Sequence, residues 1–310
     1  MSEIDILVSE VGPRDGLQSI QTVLPTASKL EWIRSQAAAG CREIEVGSFV
    51  PPKLLPQMAD TADVVRAALE IPGLTVAVLV PNLRGAENAI AAGAHKISIP
   101  FSVSETHSLK NVRRSHEQMF EEVARIAERV RGIEAAERPH FEAGLSTAFG
   151  CTLEGPVSED LVVRSAERLM QAGAAEVGLS DTTGYANPEQ VKRLIRKIRA
   201  AVGEDAITGV HLHNTRGLGL ANALAAIEEG ITTVDSSLGG IGGCPFAPGA
   251  SGNIVTEDLV FMLEAMGMKT GIDIDKLLQV RSILRQALPD EPLYGFVPDA
   301  GTPKGFNAAA

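Results

Sequence analysis

Ala38-Ala39-Gly40-Cys41-Arg42-Glu43-Ile44-Glu45-Val46 reads as the end of a helix, a glycine cap and the start of a strand. The same rhythm returns in Ala91-Ala92-Gly93-Ala94-His95-Lys96-Ile97-Ser98-Ile99, in Gln171-Ala172-Gly173-Ala174-Ala175-Glu176-Val177-Gly178-Leu179 and in Glu228-Glu229-Gly230-Ile231-Thr232-Thr233-Val234-Asp235-Ser236. Glycine accepts the left-handed conformation that closes many helices, and a run rich in branched residues three positions later suits a strand. Four alike junctions imply one repeated helix-to-strand unit.

Strand patterns are expected over 6–11, 43–49, 75–81, 96–101, 140–145, 176–181, 209–213 and 232–238. Helical patterns lie near 27–39, 60–70, 83–92, 115–131, 158–172, 188–202 and 219–229, with another over 254–267. Eight strands alternating with eight helices predict an α/β fold, a closed (β/α)8 barrel. A further amphipathic stretch, 274–288, adds a C-terminal helical extension, so residues 1–288 form one domain. Residues 289–310 are a Pro/Gly-rich tail in which no regular structure is expected.

The 310-residue chain has a formal charge of -11, against a surface for nucleic acid or anionic membrane, and a small-molecule partner is expected. No apolar run approaches the ~20 residues that span a bilayer. The three cysteines, Cys41, Cys151 and Cys244, are far apart and odd in number, which excludes a disulfide framework and fits a reducing, cytoplasmic setting. The N-terminus enters a strand pattern almost at once, without the features of a leader.

In such a barrel the chemistry sits at the C-terminal ends of the strands. Arg14 and Asp15 follow the first strand, and Glu45 lies within the second. A carboxylate in a strand covered on both faces must point into the barrel and find a partner, for which Arg14 is the natural candidate. Asp181 ends the sixth strand. The seventh carries His211 and His213 on one face, a spacing at which two imidazoles can share a metal ion with Asp15. Two histidines and one carboxylate leave coordination sites for substrate; ligand type alone does not separate Mg, Mn, Fe and Zn. His95 opens a strand, and His107, His116 and His140 read as solvated or capping residues. The stretch from Gly239 to Asn253, with its glycines, Pro245, Pro248 and Cys244, is a loop that either cradles a phosphate or moves.

Val11-Gly12-Pro13-Arg14-Asp15-Gly16-Leu17-Gln18, Glu45-Val46-Gly47-Ser48-Phe49-Val50-Pro51-Pro52-Lys53, His211-Leu212-His213-Asn214 and above all Gly242-Gly243-Cys244-Pro245-Phe246-Ala247-Pro248-Gly249-Ala250-Ser251-Gly252-Asn253 resemble the 3-hydroxy-3-methylglutaryl-CoA lyases of the DRE-TIM metallolyase superfamily. The resemblance runs unbroken over about residues 5 to 285. It implies a TIM barrel and a divalent cation, usually Mg²⁺ or Mn²⁺, held by Asp15, His211 and His213 with Asn253 completing or adjoining the sphere. It further implies that Arg14 neutralises an enolate oxygen, Glu45 orients Arg14, Asp181 joins the acid/base network and Cys244 is an acid/base residue on a closing flap. His211 belongs to the catalytic set as well as to the metal. Gln18, Ser48 and Arg216 are expected to contact substrate. The expected partner is an acyl-CoA and the expected assembly a homodimer, with no nucleic acid and no membrane.

The activity implied is cleavage of 3-hydroxy-3-methylglutaryl-CoA, or of a homologous 3-hydroxy-3-carboxymethyl acyl-CoA, to acetyl-CoA and a 3-keto acid such as acetoacetate. Ser19, Ile20 and Gln21 stand where the family usually has Asn-Glu-Lys, Asn214 stands for Asp, and Gly178 and Ser180 stand for Ser and Gly. These changes lie where the acyl tail is expected. Asn214 favours the alternative of a Claisen-type synthase joining acetyl-CoA to a 2-keto acid; a barrel that binds acyl-CoA without turnover is the second alternative.

Overall fold

The computed structural model describes residues 4–242, 252–306 and 308. Eight parallel strands close in sequence order: β1 (Leu7–Glu10), β2 (Glu43–Ser48), β3 (Thr75–Leu79), β4 (Lys96–Ser102), β5 (His140–Ser146), β6 (Glu176–Asp181), β7 (Gly209–Leu212) and β8 (Thr233–Ser236), with β8 pairing back to β1. The fold is a TIM barrel. Its outer helices are α1 (Thr26–Ala38), α2 (Thr61–Ala68), α3 (Leu83–Ala92), α4 (Glu105–Asn111), α5 (His116–Arg131), α6 (Glu159–Ala172), α7 (Pro188–Val202), α8 (Gly219–Glu228), α9 (Thr256–Ala265), α10 (Ile274–Ala287) and α11 (Val297–Ala300). The helix-ending glycines behave as their sequence implies: Gly93 and Gly173 adopt φ of 88° and 102°, where a residue with a side chain is strained.

Two-residue periodicity divides each strand between two environments. Outward residues such as Ile44, Val76, Ile97, Phe141, Leu179 and Val234 are buried beneath the helices. Each such side chain contributes roughly 1.5–3 kcal/mol by leaving water. Inward residues are mostly small or polar, so the apolar core is a shell between sheet and helices, and the lumen is left for chemistry.

Three differences from the sequence reading have local causes. β7 stops at Leu212, because His213 leaves the ladder to form an isolated antiparallel bridge with Asn253. α4 was not expected; it is only 7 residues long and is started by the Ser104 hydroxyl, which accepts from the His107 N–H. The tail includes α11 and docks on the barrel. Asp258 Oδ1 accepts from Phe296 N (2.9 Å) and Val297 N (2.8 Å), and Arg281 Nη1 donates to Glu257 Oε1 (2.7 Å) and the Tyr294 carbonyl (2.8 Å). Among the described residues no helix is long and apolar enough to cross a membrane.

Candidate active site

A single turn of π-helix, Gly12–Gly16, follows β1 and buries both Arg14 and Asp15 at the mouth of the lumen. Pro13 stands second in this turn, still within the part of a helix whose N–H groups need no partner inside it. Arg14 Nε donates to Glu45 Oε2 (2.5 Å), and its Nη1 donates to Asp15 Oδ1 (2.5 Å), so one guanidinium ties β1 to β2. Burial alone would lower the Arg14 pKa, but Glu45 and Asp15 hold it above its usual value. Burial pushes the Glu45 carboxyl up against the pull of Arg14. For Asp15 the balance is reversed: burial would raise it, yet Arg14, His211 and His213 hold it below the usual carboxylate range. Gln18 Nε2 donates to Asp15 Oδ1 (2.9 Å) from the same rim.

Across the lumen, His211 Nε2 and His213 Nε2 face each other at 3.1 Å, and Asp15 Oδ2 lies 3.9 Å from His211 Nε2. One ligand atom from each of Asp15, His211 and His213 can be chosen so that all lie within 4.8 Å of one another. His211 Nδ1 is 3.0 Å from Asp235 Oδ2 on β8. That pairing favours the proton on Nδ1 and turns the Nε2 lone pair toward its neighbours, as a metal-ligating imidazole requires. Burial lowers His211 while Asp235 and Asp15 raise it, and its pKa ends above 6.5. Burial together with the neighbouring His211 pushes His213 down to about 4, so it is neutral near pH 7.

Asn253 Nδ2 donates to Asp15 Oδ2 (2.7 Å). Its Oδ1 is buried and has no hydrogen-bond partner among the described residues, and the same holds for His213 Nδ1. Two imidazoles and a carboxylate, with the Asn253 amide in contact with that carboxylate through Nδ2, form a donor set that suits a divalent cation. The residues present therefore fit the metal that their chemistry implies.

Asp181, Ser48 and Arg216 lie elsewhere than expected. Glu176, Gly178 and Ser180 are the inward residues of β6, which leaves Asp181 on the outward face; its carboxylate accepts from Tyr185 N (2.8 Å) and Ala186 N (3.0 Å) and organises that turn. The β2–β3 register shifts between Glu45 and Gly47, and the Thr61 hydroxyl clasps the main chain of Ser48, so Ser48 is buried without lining the cleft. Arg216 is exposed; its Nη1 donates to the carbonyls of Thr183 (3.0 Å) and Gly184 (2.9 Å), and the guanidinium stacks 4.6 Å over Tyr185. Cys244 lies outside the described residues.

Arg14, Asp15, Glu45, Gln18, His211 and His213 open into one cleft of about 870 Å³. Lys110, Arg113 and Arg114 stand at its rim, a local cluster of cations on a chain of net charge -11. Sequence reasoning missed that cluster, and it missed Asp235, Lys96 and Glu142 inside the barrel. Asp235 and Lys96 nevertheless occupy the two inward positions of the helix-to-strand repeat, where a polar residue asks for a partner.

The HMGL-like family profile matches residues 5–284. The mitochondrial hydroxymethylglutaryl-CoA lyase of Mus musculus is 41% identical over 283 residues, covering 91% of this chain and 86% of its own. Hydroxymethylglutaryl-CoA lyase YngG of Bacillus subtilis is 39% identical over 283 residues, covering 91% of this chain and 93% of its own. The structure of an HMG-CoA lyase from Acinetobacter baumannii in complex with coenzyme A and 3-methylmalate superimposes with a TM-score of 0.90 at 39% identity, covering 99% of each chain. With the motif, the barrel and these similarities in agreement, the chain belongs to the HMGL-like family, that of the hydroxymethylglutaryl-CoA lyases.

Proposed function

We propose that this protein is a divalent-metal-dependent carbon–carbon lyase that cleaves 3-hydroxy-3-methylglutaryl-CoA to acetyl-CoA and acetoacetate. The observation that carries the reading is the convergence of Asp15, His211 and His213 on one point, beside a guanidinium fixed by two carboxylates. Asp15, His211, His213 and Asn253 would hold the cation, and when bound it would acidify the 3-hydroxyl group of the substrate. Mg²⁺ and Mn²⁺ are the ions proposed.

The rest follows from the chain's own residues. Loss of the 3-hydroxyl proton lets the C2–C3 bond break; C3 becomes the ketone, and the electron pair passes to the thioester as its enolate. Arg14, held by Glu45 and Asp15, offers N–H donors where that negative charge develops, and a donor fixed beforehand needs no reorganisation as the bond breaks. Protonation at C2 then gives acetyl-CoA. We assign that proton to the Cys244 thiol from its sequence motif, and Gln18 to substrate contact from its place on the rim. Lys110, Arg113 and Arg114 supply positive charge where the coenzyme A phosphates would enter. A cytoplasmic homodimer is the working form we propose, which light scattering would test.

Incubating the protein with 3-hydroxy-3-methylglutaryl-CoA and Mg²⁺ should yield equal amounts of acetyl-CoA and acetoacetate. Stripping the metal should abolish the reaction, and Mg²⁺ or Mn²⁺ should restore it. Absence of both products from the metal-loaded protein would defeat the proposal.

A further inference from the structure

The cleft does not end at the metal-binding group. It continues down the lumen past His211 to Gly209, Thr233, Glu142 and Lys96. Gly209 lies two positions before His211 on β7, a rise of ~6.6 Å along the strand. The space exists because neighbouring strands place glycine inward: Gly144 on β5, Gly178 on β6 and Gly209 on β7. These three are not equivalent. A Cβ on Gly178 would run into the Glu142 carboxylate, whereas one on Gly144 would meet only the Ile99 carbonyl oxygen, at 3.9 Å. Gly144 does not have the positive φ that favours glycine, so nothing in its main chain requires glycine there. Its missing side chain simply leaves volume.

The walls around that volume are polar. Lys96 Nζ lies 2.8 Å from Glu142 Oε2, 3.5 Å from Glu43 Oε1 and 3.8 Å from Glu176 Oε1. Ser98 Oγ donates to Glu45 Oε1 (3.0 Å), and Asp235 borders the same space. Burial raises the Glu142 carboxyl to about 6 even with Lys96 beside it.

Coenzyme A would enter at the cationic rim and the thioester would lie by Arg14, so the 3-carbon would stand over the lumen with its methyl, and not its carboxymethyl arm, turned toward the carboxylate-lined layer. A methyl group on C3 cannot reach the Lys96 layer. We infer that the lumen is a specificity pocket for the substituent on the substrate's 3-carbon, that it takes a short hydroxylated chain in place of methyl, and that Gly144 sets its capacity. This inference rests on the lyase reading above. An apolar chain would cover buried carboxylates and an ammonium group without pairing with them, which is costly. A carboxylated chain would add negative charge to a space where Glu43, Glu142 and Glu176 already share one lysine, and where Glu45 and Asp235 are paired with Arg14 and His211. A hydroxyl both donates to a carboxylate and accepts from Lys96 or Ser98.

The test compares three thioesters that differ only at C3: methyl, n-propyl and 2-hydroxyethyl, the last two nearly equal in size. The metal-loaded wild type should turn over the hydroxyethyl compound with kcat/KM at least about tenfold above the propyl compound, since a hydrogen-bonding pocket rejects the analogue lacking the hydroxyl. The hydroxyethyl-to-methyl ratio should fall at least about thirtyfold in Gly144→Val and by roughly threefold in Gly144→Ala, as the lumen fills. If Gly144→Val fails to fold, the Gly144→Ala ratio still decides. Propyl processed as well as hydroxyethyl, or ratios unmoved by the Gly144 variants, would overturn the inference while leaving the lyase assignment intact. No acetyl-CoA from any of the three would overturn both.

Discussion

Replacing Asp235 by Asn tests whether the His211–Asp235 pair tunes the metal site. The substitution keeps the shape and leaves an oxygen able to accept from His211 Nδ1, but it removes the charge. A hydrogen bond to a charged group contributes about 1.5–3 kcal/mol and a neutral one about 0.5–1.5, so the loss is about 1–1.5 kcal/mol, or roughly tenfold in affinity. Residues that orient metal-bound histidines typically account for ~10–100-fold. Because the Asp235 side chain is 28% exposed, water screens part of its charge and the lower half of that range applies. Calorimetric titration of metal-free protein with Mn²⁺ at pH 8 should therefore show binding weakened about 10–30-fold. The sign of the pH dependence is also fixed. Asp235 raises the His211 pKa, so in the wild type protons compete with metal more strongly as pH falls toward and below that raised value. The variant loses both the benefit and the competition, and the gap should narrow at pH 6. Unchanged Mn²⁺ affinity at pH 8, or a gap that widens at pH 6, would refute the reasoning.

Arg14→Lys keeps the charge but cannot form the two directed bonds to Glu45 and Asp15; steady-state assays should show kcat down by ~10²–10³ with Mn²⁺ affinity little changed. Arg113→Ala combined with Arg114→Ala should raise KM for the acyl-CoA several-fold with kcat nearly constant, an effect that shrinks as salt is added. Glu10 is fully buried and accepts from Gly12 N, Leu238 N and Thr256 Oγ1, yet burial lifts its pKa from 4.5 to about 7. A carboxyl raised on folding contributes stability that is present below pH 4.5 and lost as pH rises through 7, on the order of 3 kcal/mol. Glu10→Gln should remove that loss, so denaturant midpoints at pH 5 and pH 8 should move closer together than in the wild type.

The barrel was legible because each unit repeats the same physical logic. A glycine cap, a strand with an apolar outward face and an amphipathic helix are local features, and their count closes the sheet. The same repeat also held part of the site that went unread. Its sixth residues are Glu43, Lys96, Glu176 and Thr233, and its eighth are Glu45, Ser98, Gly178 and Asp235. Once Glu45 is known to face inward, the other eighth positions face inward too, and Asp235 becomes the neighbour of His211 through the β7–β8 register. Asp181 was misplaced for want of the same parity argument, since Glu176 and Gly178 already put it on the opposite face. Ser48 needed knowledge of a register shift that no residue type announces. Arg216 was assigned by charge alone, and the carbonyls of Thr183 and Gly184 that hold it come from a distant segment whose path the sequence does not reveal.

The docked tail has a consequence for how the molecule can be shortened. Gly239 begins the glycine-rich stretch that leads to Asn253, and it is gripped from both sides: its N–H donates to Glu257 Oε2 (3.0 Å), and its carbonyl accepts from Tyr294 N (2.8 Å). Glu257 is in turn fixed by Arg281, which also holds the Tyr294 carbonyl. The described residues of 289–310 are absent from the walls of the cleft, yet they act as a buckle at the root of the segment that carries Cys244. A chain ending at 288 would keep every described wall of the cleft and lose the strap that fastens the start of that segment to the barrel.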